Sequence, residues 1–186
     1  MSAQALSPEE TLQRWQDEEA AVRRRLAEPG VARLDQVAGR SGLEIFQAMF
    51  DGELPSAPIG ATLGFVPIRI ERGLAVFQGR PHRAHYNPLG TVHGGWFATL
   101  LDSCVACAVH ASLPAGRTYG TVELKINIVR ALTDKVPLVR AEGRIIHLGR
   151  SMATAEGRLL GHDGKLYAHA TTTCFIYEAP ATKATE

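Results

Sequence analysis

Apolar residues recur with two different periods along this chain, and the change from one to the other divides it near residue 55. Up to that point the spacing is helical. Ser7-Pro8-Glu9-Glu10 predicts a helix start with Ser7 as its cap and Pro8 in the first turn, and Pro29-Gly30 is expected to break that helix. From Ser41, the stretch SGLEIFQAMF places Leu43, Phe46 and Phe50 at helical spacing, and Ser41 with Glu44 has the form of a capping box. ELPSAPIG then reads as a Pro-rich linker. Beyond it the period drops to two and β-branched residues accumulate, which predicts strands over 64–71 and 74–79 joined by an Arg72-Gly73 turn. A long apolar helix over about 93–112 is closed by Leu113-Pro114-Ala115-Gly116. Four more strands follow near 118–129, 138–147, 151–160 and 166–177, the last two joined by Gly161-His162-Asp163-Gly164. No internal repeat is present. One apolar helix followed by long antiparallel strands predicts an α+β fold with the sheet wrapped around that helix. The expected division is a helical extension and linker at 1–55, a folded domain at 56–180 and a tail at 181–186.

Composition narrows the picture. A chain of 186 residues with 45% hydrophobic content has ample material for one core plus an extension. A net charge of +1 argues against nucleic acid as the main partner, because neutralising several phosphates needs a basic surplus. The arginines at 23, 24 and 25 do not change this, since the first 50 residues hold six Arg against eight Asp or Glu, a net of −2, and read as a solvated helix face. No apolar run reaches the length of a membrane span, and the start MSAQALSPEE lacks the basic and apolar segments of a signal peptide, so no membrane association and a cytoplasmic location are expected. Three cysteines, an odd number in a chain large enough to need no staples, fit a reducing compartment. Cys104 and Cys107 spell C-x-x-C, but they fall well inside an Ala-rich helical run and read as small packing residues. His82 and His85 have an H-x-x-H spacing without a third ligand, so no metal is expected.

The chemistry concentrates in NPLGTVHGGWFATLLD, residues 87–102, where a helix start made of two glycines precedes one carboxylate in an apolar run. Backbone N–H groups at a helix start supply oriented donors at the positive end of the dipole, and Gly94 and Gly95 let a carbonyl approach them unobstructed. Asp102 lies between Leu100, Leu101, Val105 and Ala106, where a charge is costly unless it is used. It suits either a nucleophile that forms an acyl anhydride or a general base for water. Gly94 and Asp102 are eight positions apart, so about 12 Å of helix axis separates them at roughly 1.5 Å per residue. One helix cannot bring both to one carbonyl. Two antiparallel helices across a two-fold interface bring the start of one beside the middle of the other, which predicts a composite site and an obligate dimer.

Asn87 with Gly90, the His93-Gly94-Gly95 triplet, Asp102 nine residues after that histidine, and the later phrases TYGTVELKINIVRA and HLGRSMATAEGRL resemble hotdog-fold acyl-CoA thioesterases of the phenylacetate-pathway type. The resemblance covers about 59–177. It implies a hotdog fold, hydrolysis of acyl-CoA without metal or organic cofactor, a preference for aryl-acetyl, other aromatic or medium-chain acyl groups, and sites built between protomers of a dimer of dimers. It further implies that Asn87 hydrogen-bonds the thioester carbonyl or the lytic water, that His93 orients the helix start, and that the Thr121 hydroxyl lies near the nucleophilic water. Arg150, after the Leu148-Gly149 turn, is the implied contact for coenzyme A phosphate, with Gly149 beside it and Arg117 and Arg83 as lesser candidates. Ala106 departs from a related branch that carries threonine one turn after the aspartate, which removes a hydroxyl from the helix.

Two other readings compete. A hotdog hydratase or dehydratase would place an Asp and a His together at the approach to the helix, and no such D-x-x-x-x-H pair precedes it here. A non-catalytic acyl-CoA sensor is disfavoured by the acidic balance of residues 1–50 and would leave Asp102 without a use. The apolar face formed by Leu43, Ile45, Phe46, Met49 and Phe50 would be exposed if left uncovered, so the extension is expected to cap the sheet or line the acyl pocket.

Overall fold

A computed structural model describes residues 6–180; the expected tail at 181–186 lies outside the described residues. Helix α1, Pro8–Arg23, opens as its sequence requires: the Ser7 hydroxyl accepts the Glu10 N–H at 3.2 Å and the Glu10 carboxylate accepts the Ser7 N–H at 2.8 Å. It ends six residues before Pro29 rather than at it. Ala27–Pro29 instead forms a short strand, β1, because the residue before a proline favours extended backbone and a partner is at hand in β2, described below. A single turn, α2, covers Leu34–Val37. Helix α3, Gly42–Phe50, starts on the expected Ser41–Glu44 capping box. Its Phe46, Met49 and Phe50 turn to the core while Leu43 stays partly exposed.

The linker holds more order than its composition suggested. Pro55–Ser56 forms β2, parallel to β1, and Pro58–Leu63 forms α4, with proline at its start and Gly64 closing it at φ 68°. Strands β3 (Phe65–Glu71) and β4 (Leu74–Gly79) follow, then the long helix α5 (Gly94–His110) and strands β5 (Arg117–Ile128), β6 (Val139–Leu148), β7 (Met152–Gly161) and β8 (Leu166–Glu178). These bounds lie within two residues of the predicted ones. The main sheet is antiparallel throughout, in the order β3-β4-β6-β7-β8-β5, and α5 touches all six of its strands. This is the α+β hotdog arrangement, a sheet wrapped around one apolar helix.

Close wrapping depends on two glycines paired across β6 and β7. Gly143 faces Gly157 in the register, and both lie directly under α5, where a side chain on Gly143 would run into the Cys104 carbonyl and one on Gly157 into Val105 at 2.7 Å. Helix and sheet therefore approach nearly backbone to backbone. Above them Leu100, Leu101, Cys104 and Val105 are fully buried.

The sheet's outer face is covered at one end only. Every residue of β4 is buried, because Ala75 and Phe77 face α5 while Gln78, on the opposite face, lies under α1. The Gln78 amide donates to the Glu19 carboxylate at 2.6 Å and to the Trp15 carbonyl at 3.2 Å, and its oxygen accepts from Arg140 at 2.8 Å. Arg140 also donates to Glu18 at 2.6 Å and lies 4.5 Å from the centroid of the Trp15 ring. At the far end Ile146, Leu148, Met152, Phe175 and Tyr177 remain exposed.

Candidate active site

Helix α5 begins at Gly94 with His93 as its cap, and the imidazole Nδ1 accepts the Gly95 N–H at 2.9 Å. The Gly95 donor is thus taken within the chain. Gly94, at the first helical position, has no acceptor for its N–H among the described residues, as expected where the helix ladder has not begun. A side chain there would press on Ile128 at 3.3 Å, so glycine keeps the approach open.

Ahead of the helix, Asn87 organises the 87–91 loop. Its side-chain oxygen accepts from the Leu89 N–H at 2.9 Å and the Thr91 N–H at 3.3 Å, and its amide nitrogen donates to the Thr91 hydroxyl at 3.0 Å. Gly90 closes this turn at φ 81°. One amide hydrogen of Asn87 is left after that single bond, since an NH2 group carries two.

Two turns into α5, Asp102 is half-buried, and the Thr121 hydroxyl of β5 donates to its Oδ1 at 3.1 Å. Burial raises the Asp102 carboxyl above its ordinary value, and the Thr121 bond opposes that rise. Oδ2 is left without a protein donor among the described residues. Thr121 sits where the β5 register slips against β8, between Thr121 and Glu123, so that Val122 is extruded and 64% exposed. The hydroxyl missing at Ala106 is therefore supplied from the sheet. The hydroxyls of the helix itself are spent locally, Thr99 on the Gly95 carbonyl at 3.0 Å and Ser103 on the Thr99 carbonyl at 2.7 Å.

Other candidates separate. Gly149 and Arg150 form the tight β6–β7 turn, where the Gly149 N–H donates to the Met152 carbonyl at 2.8 Å and the Arg150 side chain is exposed. Arg117 supports that turn by donating to the Arg150 carbonyl at 2.7 Å. Arg83 is tied to Asp134 at 3.1 Å. His82 caps a short turn by accepting the Ala84 N–H at 3.1 Å, and His85 stacks on Trp96 with ring centroids 5.6 Å apart. No group of metal-ligating side chains occurs among the described residues. Cys104 and Cys107 form no disulfide, and burial pushes the Cys107 thiol up to about 12 and the Cys104 thiol well above its usual value, so both stay inert thiols. No helix is long and apolar enough to cross a membrane among the described residues.

Sequence reasoning singled out Phe46 and Met49 as capping or pocket-lining residues but not Ser103 and Cys107, which open with them into an apolar cavity of about 150 Å3 between α3, α4 and α5. The signal was present in the helical spacing of 99, 103, 106 and 107, which are small residues on the side of α5 turned away from the sheet.

Comparison with known proteins bears on the fold and the family. Residues 89–168 match the thioesterase superfamily model. A phenylacetic acid degradation-related protein of Ralstonia eutropha is 32% identical, over 70% of this chain and 98% of its own, with a TM-score of 0.64. A mutant of the phenylacetic acid degradation protein PaaI of Thermus thermophilus is 28% identical, over 63% of this chain and 97% of its own, with a TM-score of 0.57. A comparison with curated protein sequences found no significant match. A relative of this identity, aligned over nearly its whole length and sharing the wrapped helix, places the chain in the thioesterase superfamily of hotdog proteins.

Proposed function

We propose that this protein hydrolyses acyl-CoA thioesters to a free acid and CoA at a site shared between two protomers. The observation that carries this reading is the division of α5: a helix-start N–H without an acceptor at Gly94, and a half-buried carboxylate with one free oxygen at Asp102, about 12 Å further along at roughly 1.5 Å per residue. An exposed edge supports the dimer. Strand β5 ends the sheet, is twelve residues long and leaves Val122 and Ile128 exposed, with Val129 exposed just after it, a strand edge that natural proteins usually cover. Pairing two β5 edges around a two-fold axis continues the sheet and lays two α5 helices antiparallel. The exposed apolar patch of Ile146, Leu148, Met152, Phe175 and Tyr177 on the outer face suits the further association of dimers into a tetramer.

In this reading the Gly94 N–H of one protomer holds the developing oxyanion while Asp102 of the other acts on the carbonyl carbon. As general base, Asp102 takes a proton from water as the water oxygen bonds to that carbon, the C–S bond breaks and CoA leaves as thiolate. As nucleophile, Asp102 displaces the thiolate itself and water then cleaves the anhydride. Thr121 holds the unused carboxylate oxygen, His93 shapes the helix start, Asn87 offers its remaining amide hydrogen, and Gly95 keeps the approach clear. Arg150, with Gly149 setting its turn, is assigned to CoA phosphate. No cofactor takes part, residues 1–55 form an extension of the hotdog unit at 56–180, and the protein works in the cytoplasm.

The test is complementation. Gly94→Pro lacks the N–H and Asp102→Asn lacks the carboxylate, so each homodimer is expected to release thiol from acyl-CoA at no more than about a hundredth of the wild-type rate. Heterodimers isolated through two tags rebuild one of two sites and are expected to regain up to half of wild-type turnover. With both parents shown to fold and dimerise normally, heterodimers as inactive as the parents would refute the shared site.

A further inference from the structure

We infer that the N-terminal extension, and not the hotdog unit alone, forms the outer wall of the acyl pocket and limits it to a compact apolar group of about one six-membered ring. The inference rests on the thioesterase reading and adds which residues set its substrate range. The cavity of about 150 Å3 lies on α5 immediately after Asp102: Ser103 is the next residue, and Cys107 is five positions on, about 7.5 Å along the axis at roughly 1.5 Å per residue. The charge of Asp102 contributes to raising the Cys107 thiol, so carboxylate and cavity floor share one neighbourhood. Phe65 and Phe77 of the sheet, edge to face at 6.1 Å, close the cavity from behind.

Most of the remaining wall belongs to the extension and to the adjoining α4, with Val66 and Pro67 of β3 completing it. Phe46 and Met49 come from α3, Ile59 and Ala61 from α4, and Leu26 and Pro29 from the segment between α1 and β1 onward. The two relatives match only 63–70% of this chain while using 97–98% of their own, so about a third of this chain has no counterpart in them. A cavity of this size with an apolar lining accepts a benzene molecule, and it is too small for a long acyl chain. A thioester carbonyl held at Asp102 would have the small side chains of Ser103 and Cys107, which line this space, within the next turn and a half of α5. The extension is also fastened independently, α1 by its polar contacts on the outer face of the sheet and α3 by Phe46 on His110 at 5.2 Å. It is therefore a fixed wall.

Met49→Ala enlarges the cavity and Ile59→Trp narrows its mouth, and neither touches Asp102, Gly94 or the loop ahead of α5. Thiol release is measured on straight-chain acyl-CoAs of two to twelve carbons and on phenylacetyl-CoA. Met49→Ala is expected to move the optimum to longer chains and to raise kcat/KM for the longest, relative to phenylacetyl-CoA, by tenfold or more; Ile59→Trp is expected to lower kcat/KM for phenylacetyl-CoA by tenfold or more and to leave acetyl-CoA within twofold. Unchanged ratios in both variants overturn the inference while leaving the hydrolytic reading intact. Should the wild type be inert on the whole panel, the hydrolytic reading fails, and the pocket is then judged by melting: phenylacetate raises Tm of the wild type and not of Ile59→Trp if the wall is as described, and equal shifts or none overturn it.

Discussion

Asp102→Asn should change activity and stability in opposite directions, a combination that a merely structural aspartate would not produce. The substitution keeps the shape of the side chain, and its amide oxygen can still accept the Thr121 hydroxyl that now lies 3.1 Å from Oδ1. On the proposed mechanism, what disappears is a base or nucleophile. General acid–base groups contribute about 10²- to 10⁴-fold, so the barrier should rise by about 2.7–5.4 kcal/mol and kcat should fall by at least about a hundredfold. Stability follows from the carboxyl's raised pKa in the folded chain, which burial causes. A folded value above the unfolded one means that the folded state binds more protons, so stability falls as pH rises from the ordinary carboxylate value through the folded value. The ionised wild-type carboxylate carries that cost. The amide carries none. Because Asp102 is only half-buried, water screens part of the cost, and the gain for Asp102→Asn is held to about 1 kcal/mol or less, or roughly 2–4 °C in Tm for a chain of this size. Melting curves at pH 7 and near pH 4, paired with thiol-release kinetics, test both halves. The gain in Tm should shrink at the lower pH, because a raised folded pKa makes the wild-type carboxyl take up protons there. Near-normal turnover, or a Tm at pH 7 below the wild type, would refute the reasoning.

Thr121→Val removes the one hydrogen bond that favours the charged form of Asp102, so the acid limb of the kcat/KM profile should move to higher pH while the plateau changes less; a limb that stays in place or moves down excludes this coupling. Arg140→Ala leaves the Gln78 side-chain oxygen without its donor, leaves Glu18 only Arg14 as a partner and strips the cation from Trp15, which should cost about 2 kcal/mol, lower Tm by roughly 4–8 °C and speed proteolytic cleavage between α1 and α3; unchanged melting and cleavage would show that α1 is held by other contacts.

The sheet and the central helix were legible because each buries one face against the other, and a single buried face writes its own period into the sequence. The extension was legible only where local chemistry decides structure. Ser7 with Glu10 and Ser41 with Glu44 satisfy helix-start donors within four residues, so both helix starts stand where the sequence put them. The end of α1 and the linker depended on a pairing between segments 28 residues apart, Ala27 with Pro55, and no local pattern encodes that. Pro58 at the first position of α4 and Gly64 just after it were nonetheless a readable helix signature inside a segment that composition alone made a linker. Gly143 and Gly157 illustrate a different limit: isolated glycines in strands signal close approach, but only the register shows that they oppose each other under one helix. At the site, Asp102 was legible as a lone carboxylate in an apolar helical run and Thr121 followed from resemblance, whereas their contact involves the strand irregularity at Val122 beside Thr121.

The helix start also constrains what His93 does. A neutral imidazole has one protonated and one bare nitrogen, and Nδ1 is bare here because it accepts the Gly95 N–H at 2.9 Å. Nε2 then carries the proton. In that tautomer the ring has no lone pair to offer as a base, but it has a donor on an exposed side chain beside the Gly94 N–H that lacks an acceptor. The consequence is a division of labour between residues that are close in sequence. Gly95 spends its N–H on fixing the ring, so on the proposed mechanism a carbonyl arriving at the helix start would meet the Gly94 amide and the His93 ring rather than two successive amides. Proton acceptance is left to the carboxylate at Asp102. Since that carboxylate is eight residues further along the same helix, the proposed reaction requires the donors of one α5 and the carboxylate of another, because one helix would bring them to different carbonyls.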